Sequence, residues 1–239
     1  MRLYHYTSLE NFWKIWVTKE LLFSKSHVPS NNDYFERRKT FSVSENNCEN
    51  FIINVLMNQN KNNVPNVFFQ LNKYKQISLI KDYKDGTLGC LSPMMWGQYA
   101  DRGRGVCIEI DTLSLENNWA DIWAGDVEYV DELECFKIEE KDLESIETVN
   151  NAIRKQKNIL FFQKHKHWEI ENEYRLISNK ISALDISKAI KKIIVSDYDS
   201  HTSMLVQKLV KNCNMLYYLM AEEINRHKKL NLFPFPSIK

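Results

Sequence analysis

Glycine and proline are scarce in this chain, six and five in 239 residues, and no stretch rich in Pro, Gly or Ser divides it. With no linker in view, a single domain over residues 1–239 is the expectation. Neither sign of charge dominates. Thirty-two basic against 31 acidic residues leave a formal net charge of +1. That removes the composition argument for tight, non-specific nucleic-acid binding, while a local basic patch stays open. The five cysteines, at 48, 90, 107, 135 and 213, form no CxxC pair. A disulfide framework or zinc knuckle is therefore not expected, and a reducing cytosol is. No apolar run approaches the roughly 20 residues of a spanning helix. Arg2, His5 and Glu10 interrupt anything resembling a signal peptide. The chain reads as cytoplasmic, with no membrane partner.

What is present is an ordinary globular mixture, 44% hydrophobic and 26% charged. Arg2–Thr7 alternates as a strand. Ser8 then N-caps a helix whose Phe12, Ile15 and Trp16 form one stripe. Further strands are expected at Glu20–Ser24, Asp126–Val130, Tyr174–Ser178, Ile193–Ser196 and Met215–Met220. Helices are expected at Tyr34–Thr40, Cys48–Met57, Phe68–Tyr83, Leu143–His167 (the longest) and Ser203–Lys211, with polar loops at Pro29–Asp33 and Asn58–Asn66. The mixture makes one α+β domain the economical reading.

The segment Gly89–Asp111, GCLSPMMWGQYADRGRGVCIEID, is the densest in information. Cys90, Leu91 and Ser92 alternate like a strand edge that Pro93 stops. Met94–Ala100 gives two helical turns with Trp96 and Tyr99 three apart on one face. Gly103 and Gly105 flank Arg104 in a turn, and Val106–Asp111 alternates as a strand. Two other segments carry chemistry. In LYHYTS, period two places Tyr4, Tyr6 and Ser8 on one face and Leu3, His5 and Thr7 on the other. In WEIENEYR, read as extended, Glu169, Glu171 and Glu173 share a face; such neighbours raise one another's pKa unless a cation such as Arg175 relieves them. Taken singly, each has an ordinary alternative: a packed Trp, a half-buried strand histidine, a solvated acidic edge. His165 and His167, two apart without further ligands, read as solvated helix-end histidines, so no metal is expected. A nuclease reading of Glu109 and Asp111 lacks the lysine it needs.

In combination, a His on the first strand, a Tyr-bearing helix in the middle and Glu-x-Glu late in the chain resembles the active-site order of ADP-ribosyltransferases of the His-Tyr-Glu type. More closely, LYHYTS, then Phe23, Ser24, Asn31, Asn32, Asp33 and Glu36, then CLS, MWGQYAD, GVCIEID and ENEYRLI are similar to the bacterial domain of unknown function 2971 family, from Leu3 to about Met220. The resemblance implies an ADP-ribosyltransferase-like α+β fold, a split antiparallel β-core with flanking helices that holds NAD without a Rossmann glycine fingerprint; no GxGxxG follows a strand here. It implies that His5 hydrogen-bonds the adenosine ribose with Tyr6, Thr7 or Ser8 nearby and that Ser92 belongs to the cofactor site. Tyr99 then stacks on nicotinamide with Trp96 as wall or alternative stacker. Glu173 is the catalytic carboxylate and Glu171 lies on the acceptor side, although Glu169 keeps the choice among the three acids open. Arg102 and Arg104 offer bidentate bonds to a pyrophosphate, with solvated loop arginines an equal alternative. The function implied is an NAD-dependent ADP-ribosyltransferase, an intracellular toxin or anti-phage effector acting on RNA, DNA or protein and, as a toxin, met by an antitoxin. The alternatives are an NAD glycohydrolase and a non-catalytic nucleotide-binding or interaction module.

Overall fold

The computed structural model describes residues 1–25, 41–43, 67–115, 119–197, 199–210, 214–224 and 227–235. The helices expected at Tyr34–Thr40 and Cys48–Met57, the two polar loops, and Asn31, Asn32, Asp33 and Glu36 lie outside the described residues. Fourteen strands are described in chain order: β1 (Arg2–Thr7), β2 (Glu20–Leu22), β3 (Phe41–Val43), β4 (Lys75–Lys81), β5 (Val106–Asp111), β6 (Trp123–Asp126), β7 (Glu128–Val130), β8 (Phe136–Ile138), β9 (Gln163–His165), β10 (Glu173–Ser178), β11 (Ala183–Asp185), β12 (Ile190–Ser196), β13 (Leu216–Ile224) and β14 (His227–Pro234). Eight of them form one mixed sheet in the order β14-β13-β12-β5-β1-β4-β10-β6. All its pairs are antiparallel except β12 with β13. The fold is α+β, as composition and pattern indicated.

The sheet is split near its middle. All six residues of β1 pair with β5, from Arg2 with Asp111 to Thr7 with Val106. On its other side β1 pairs with β4 only at Leu3 with Lys81 and Tyr4 with Ile80. From Glu173 with Ile80 to Ser178 with Lys75, β4 instead follows β10. Beyond Tyr4 the two halves diverge, and the gap between β1 and β4 becomes a cleft.

One face of β1 and its neighbours packs Leu3, Leu79, Ile108, Ile110 and Leu176 beneath the Leu9–Thr18 and Ser200–Leu209 helices. Ser8 caps the first of these by accepting the Asn11 N–H. The opposite face packs Tyr4, Tyr6, Ile80, Cys107 and Ile194 against Met95 and Trp96 of the Pro93–Tyr99 helix. Period two in LYHYTS thus separates two cores.

Several expectations give way to tertiary structure. Phe68–Tyr83 is a short Val67–Leu71 helix followed by β4, because a β-branched alternating run is claimed by strands on both sides. Leu143–His167 breaks into helices Ile146–Lys155 and Lys157–Phe161 and then β9. At the break, the Gln156 amide exchanges two hydrogen bonds with the Lys137 backbone and turns the chain toward β8. Asp126–Val130 divides into β6 and β7 at Val127, whose N–H donates to the Glu173 carbonyl. Cys90–Ser92 is no strand edge: Gly89–Leu91 is a 3-10 turn, and Ser92 caps the next helix through the Met95 N–H. A Cβ on Gly89 would lie 2.5 Å from the Lys81 carbonyl oxygen and 2.6 Å from the Tyr4 ring, so this turn presses directly on β1 and β4. The segment before β10 is not extended either, since Lys166–Glu171 is a 3-10 helix ending at Asn172 in the left-handed region, φ 44°. His165 accordingly ends β9 and caps the start of this 3-10 helix rather than the end of a long α-helix, its Nδ1 accepting the His167 N–H and its ring edge-on to His167 at 4.3 Å.

Candidate functional site

The cleft between β1 and β4 contains a cavity of about 240 Å³. Tyr6 and His5 of β1, Ser78 of β4, Tyr99 of the Pro93–Tyr99 helix, and Glu171 and Glu173 at the entry to β10 all line it. Segments separated by as many as 168 residues thus meet where the two half-sheets part.

Glu171 and Glu173 reach the cavity for a reason other than strand periodicity. Asn172 turns the chain in the left-handed region, and its side-chain amide donates to the carbonyls of Lys81 and Asp82, pinning the turn to the end of β4. Both carboxylates are 2% exposed. Arg175 clasps Glu173 through Nε and Nη2 at 2.6 and 2.9 Å, as two residues on one strand face can, and spends Nη1 on the Phe161 carbonyl. Lys164 Nζ adds a contact to Glu173 at 3.4 Å. Burial pushes the Glu173 carboxyl up; Lys164 and a hydrogen bond from the Ser78 hydroxyl pull it back. Four acceptor sites are all that a carboxylate offers, so Glu173 is fully engaged. Glu171 receives the Tyr99 hydroxyl at 2.5 Å on Oε1 and Lys164 Nζ at 2.5 Å on Oε2. Each oxygen thus holds one donor and keeps capacity for a second. Burial, then the Glu171 charge and hydrogen bond, hold the Tyr99 phenol well above its usual range, so it stays a donor.

On the opposite wall, burial lowers the His5 pKa to about 4, a backbone hydrogen bond with Ser78 opposing only in part. The imidazole is neutral at physiological pH. Its Nδ1 is shut from solvent and has no hydrogen-bond partner among the described residues. A buried polar nitrogen without a partner costs free energy that a ligand hydroxyl would recover.

The other residues singled out in the sequence lie elsewhere. Trp96 is 4% exposed, edge-on to Tyr6 at 5.3 Å with its Nε1 donating to the Cys90 carbonyl; it supports the wall from behind rather than forming it. Met95, one helical turn before Tyr99, takes the lining position. Ser92 is the buried helix cap, and Thr7 is buried with its carbonyl facing Gly105. Arg102 and Arg104 belong to the Asp101–Gly105 turn, where Arg104 pairs with Asp101, and neither lines the cavity. Glu169 is exposed on the 3-10 helix. Lys164, Ser78 and Tyr129 carry the site's polar structure yet stand out little in the sequence. The Tyr129 hydroxyl accepts the Glu173 N–H. In the sequence Lys164 counts only toward a local basic patch with Arg102, Arg104 and Lys166; it is instead 4% exposed and paired with the two glutamates, because the helix expected around it gives way to β9.

The site therefore combines two buried carboxylates, a neutral imidazole and a phenol at a strand split. The family model described as "Protein of unknown function (DUF2971)" matches residues 95–176, from Met95 at the cavity wall to one residue past Arg175. This is less than half of the chain and a shorter stretch than the motifs suggested, but it contains both glutamates, Tyr99 and Lys164. No curated protein and no solved structure matches the chain. Among the described residues, no helix is long and apolar enough to cross a membrane, and no group of three or more His, Cys, Asp or Glu is placed to hold a metal ion.

Proposed function

We propose that the protein is an NAD-consuming ADP-ribosyltransferase with an ADP-ribosyltransferase-like fold, and that the β1/β4 cleft holds the nicotinamide ribose half of NAD. One observation carries this reading: a neutral His5 imidazole, its Nδ1 without a hydrogen-bond partner among the described residues, lines one cavity at a strand split with a buried carboxylate pair and a phenol. The cavity, about 240 Å³, falls just below the roughly 300–1,000 Å³ of pockets that enclose a drug-sized ligand, a size suited to one half of a dinucleotide.

The chemistry follows from the arrangement. Heterolysis of the nicotinamide–ribose bond sends the electron pair to nicotinamide and leaves an oxocarbenium-like C1′. Glu173, its oxygens fully hydrogen-bonded, acts as fixed charge near that centre rather than as a partner for a ribose hydroxyl. Glu171, with acceptor capacity left over, engages the incoming nucleophile and takes its proton as the new bond to C1′ forms. Tyr99 supplies the stacking surface, and His5, which lines the same cavity, stands beside the nicotinamide ribose rather than the adenosine ribose that the resemblance assigned to it.

The acceptor is a macromolecule, RNA, DNA or protein, and a role as a toxin or anti-phage effector with an antitoxin partner belongs to the same proposal. Incubation with labelled NAD and a cell lysate tests it: label is expected in one macromolecular fraction along with released nicotinamide. Free ADP-ribose alone would make the protein a glycohydrolase, and absence of turnover would leave a binding module.

A further inference from the structure

Lys164 touches both buried carboxylates. Its Nζ lies 2.5 Å from Glu171 Oε2 and 3.4 Å from Glu173 Oε2. The side chain is 5% exposed, and the Trp168 ring covers the ammonium at 4.9 Å. Burial works against the charged ammonium, but Glu173 and then Glu171 outweigh it and hold the Lys164 pKa above its ordinary value. A lysine is rarely enclosed this far without such partners.

The position is built by backbone rather than by chance contact. β7 and β9 pair in parallel with Tyr129 opposite Lys164. The Tyr129 hydroxyl accepts the Glu173 N–H, so the same two-stranded ribbon holds the main chain of one glutamate and the side chains of both. The groups around the acid pair are Tyr99 from its helix, Tyr129 from β7, Ser78 from β4, Tyr83 just beyond β4, Trp168 from the 3-10 helix and Arg175 from β10, with His5 of β1 and the exposed Lys25 also lining the cavity. Arg175 directs its fork to Glu173 and its remaining nitrogen to Phe161. Tyr99 brings Glu171 a hydrogen bond but no charge. Two carboxylates that converge on one point cannot both stay ionised without a cation there; they share a proton instead.

We propose that Lys164 is a positioning residue: its ammonium keeps Glu171 and Glu173 ionised together and fixes where their charges face the cavity. Its importance for turnover rests on the transferase reading, but its effect on the acid pair does not. In Lys164→Met one carboxyl retains a proton to higher pH. A carboxyl pKa raised in the folded state gives stability that is full below the unfolded value and is lost as pH rises through the raised one.

The test is urea unfolding of wild type, Lys164→Met and Lys164→Met/Glu171→Gln between pH 5 and pH 8, with nicotinamide release followed over the same range. The single variant is expected to be closest to wild type at pH 5 and to fall progressively behind as pH rises. Adding Glu171→Gln removes the second charge and should abolish that dependence. The acid limb of nicotinamide release should move up by about one pH unit or more in Lys164→Met. A deficit uniform across pH, or a single variant unfolded at every pH, would overturn the proposal. Wild-type protein that releases no nicotinamide would sink the transferase reading while the stability comparison still decides the role of Lys164.

Discussion

Tyr99 and Glu171 lie 72 residues apart in the chain, and their side chains meet in a 2.5 Å hydrogen bond at the edge of the cavity. This contact ties the Pro93–Tyr99 helix, packed on one half-sheet, to the entry of β10 on the other. It spans the split on which the site depends. Binding surface and carboxylate are therefore set by one bond, and removing it separates their contributions.

Tyr99→Phe keeps the ring and deletes the donor. Loss of a hydrogen bond to a charged group costs about 1.5–3 kcal/mol, so the urea midpoint is expected to drop while NAD affinity by calorimetry changes little. Tyr99→Ala, which also removes the ring, should lose NAD binding. Equal affinity in wild type and Tyr99→Ala would remove the stacking role.

Glu173→Gln leaves Arg175 and Lys164 enclosed with one countercharge fewer. Breaking a buried pair from one side typically costs about 3–5 kcal/mol, so a clear fall in melting temperature is expected. Below that transition, nicotinamide release should fall about a hundredfold or more, with NAD binding less affected. A variant as stable as wild type would show that the Arg175 fork holds no net charge in place.

Glu171→Ala addresses the other acid. On the transferase reading, nicotinamide release is expected to persist at a reduced rate while transfer to a macromolecule is suppressed further, since Glu171 is there assigned to the acceptor. Parallel loss of both activities would make the pair one catalytic unit.

His5 governs behaviour in acid. In the unfolded chain it takes a proton near its ordinary value of 6.5, whereas the folded imidazole resists to about 4. Its contribution to stability is present above 6.5 and is lost as pH falls toward 4. His5→Gln should flatten the stability profile in that window, as read by thermal unfolding. An unchanged acid slope would place the titrating group elsewhere.

Two glycines are expected to respond in opposite directions. A Cβ on Gly105 would lie 2.2 Å from the Thr7 carbonyl oxygen and 2.8 Å from the Ala100 backbone, whereas on Gly97 it meets nothing within 4 Å. Gly105→Ala must displace backbone at the mouth of the split and should cost about 1–3 kcal/mol or more. Gly97→Ala, within a helix, should add about 0.5–1 kcal/mol. Urea titration reads both.

The sequence by itself determined the α+β class, the separation of Tyr4 and Tyr6 from Leu3 and His5 onto opposite faces of β1, the Ser8 cap and the Pro93–Tyr99 helix. It also brought His5, Tyr99, Glu171 and Glu173 forward together. The class, the two faces, the cap and the helix are properties of period, capping and turn chemistry, which act within a few residues and are written in local order; the four site residues were brought together by the motif order and its resemblance to a known active site, not by period. Tertiary structure alone decided the rest. Tyr99 rather than Trp96 faces the cavity because the Trp96 indole is drawn to the Cys90 carbonyl and the edge of Tyr6. Glu171 reaches the site from a 3-10 helix because Asn172 is tied to Lys81 and Asp82 across 90 or so residues. β4 is a strand because β1 and β10 flank it, and β9 carries Lys164 inward because β7 pairs with it. A lysine in a polar run looks solvated until the chain turns back through the 3-10 helix and Asn172 and closes carboxylates seven and nine residues further on around it, a turn that no regular period announces.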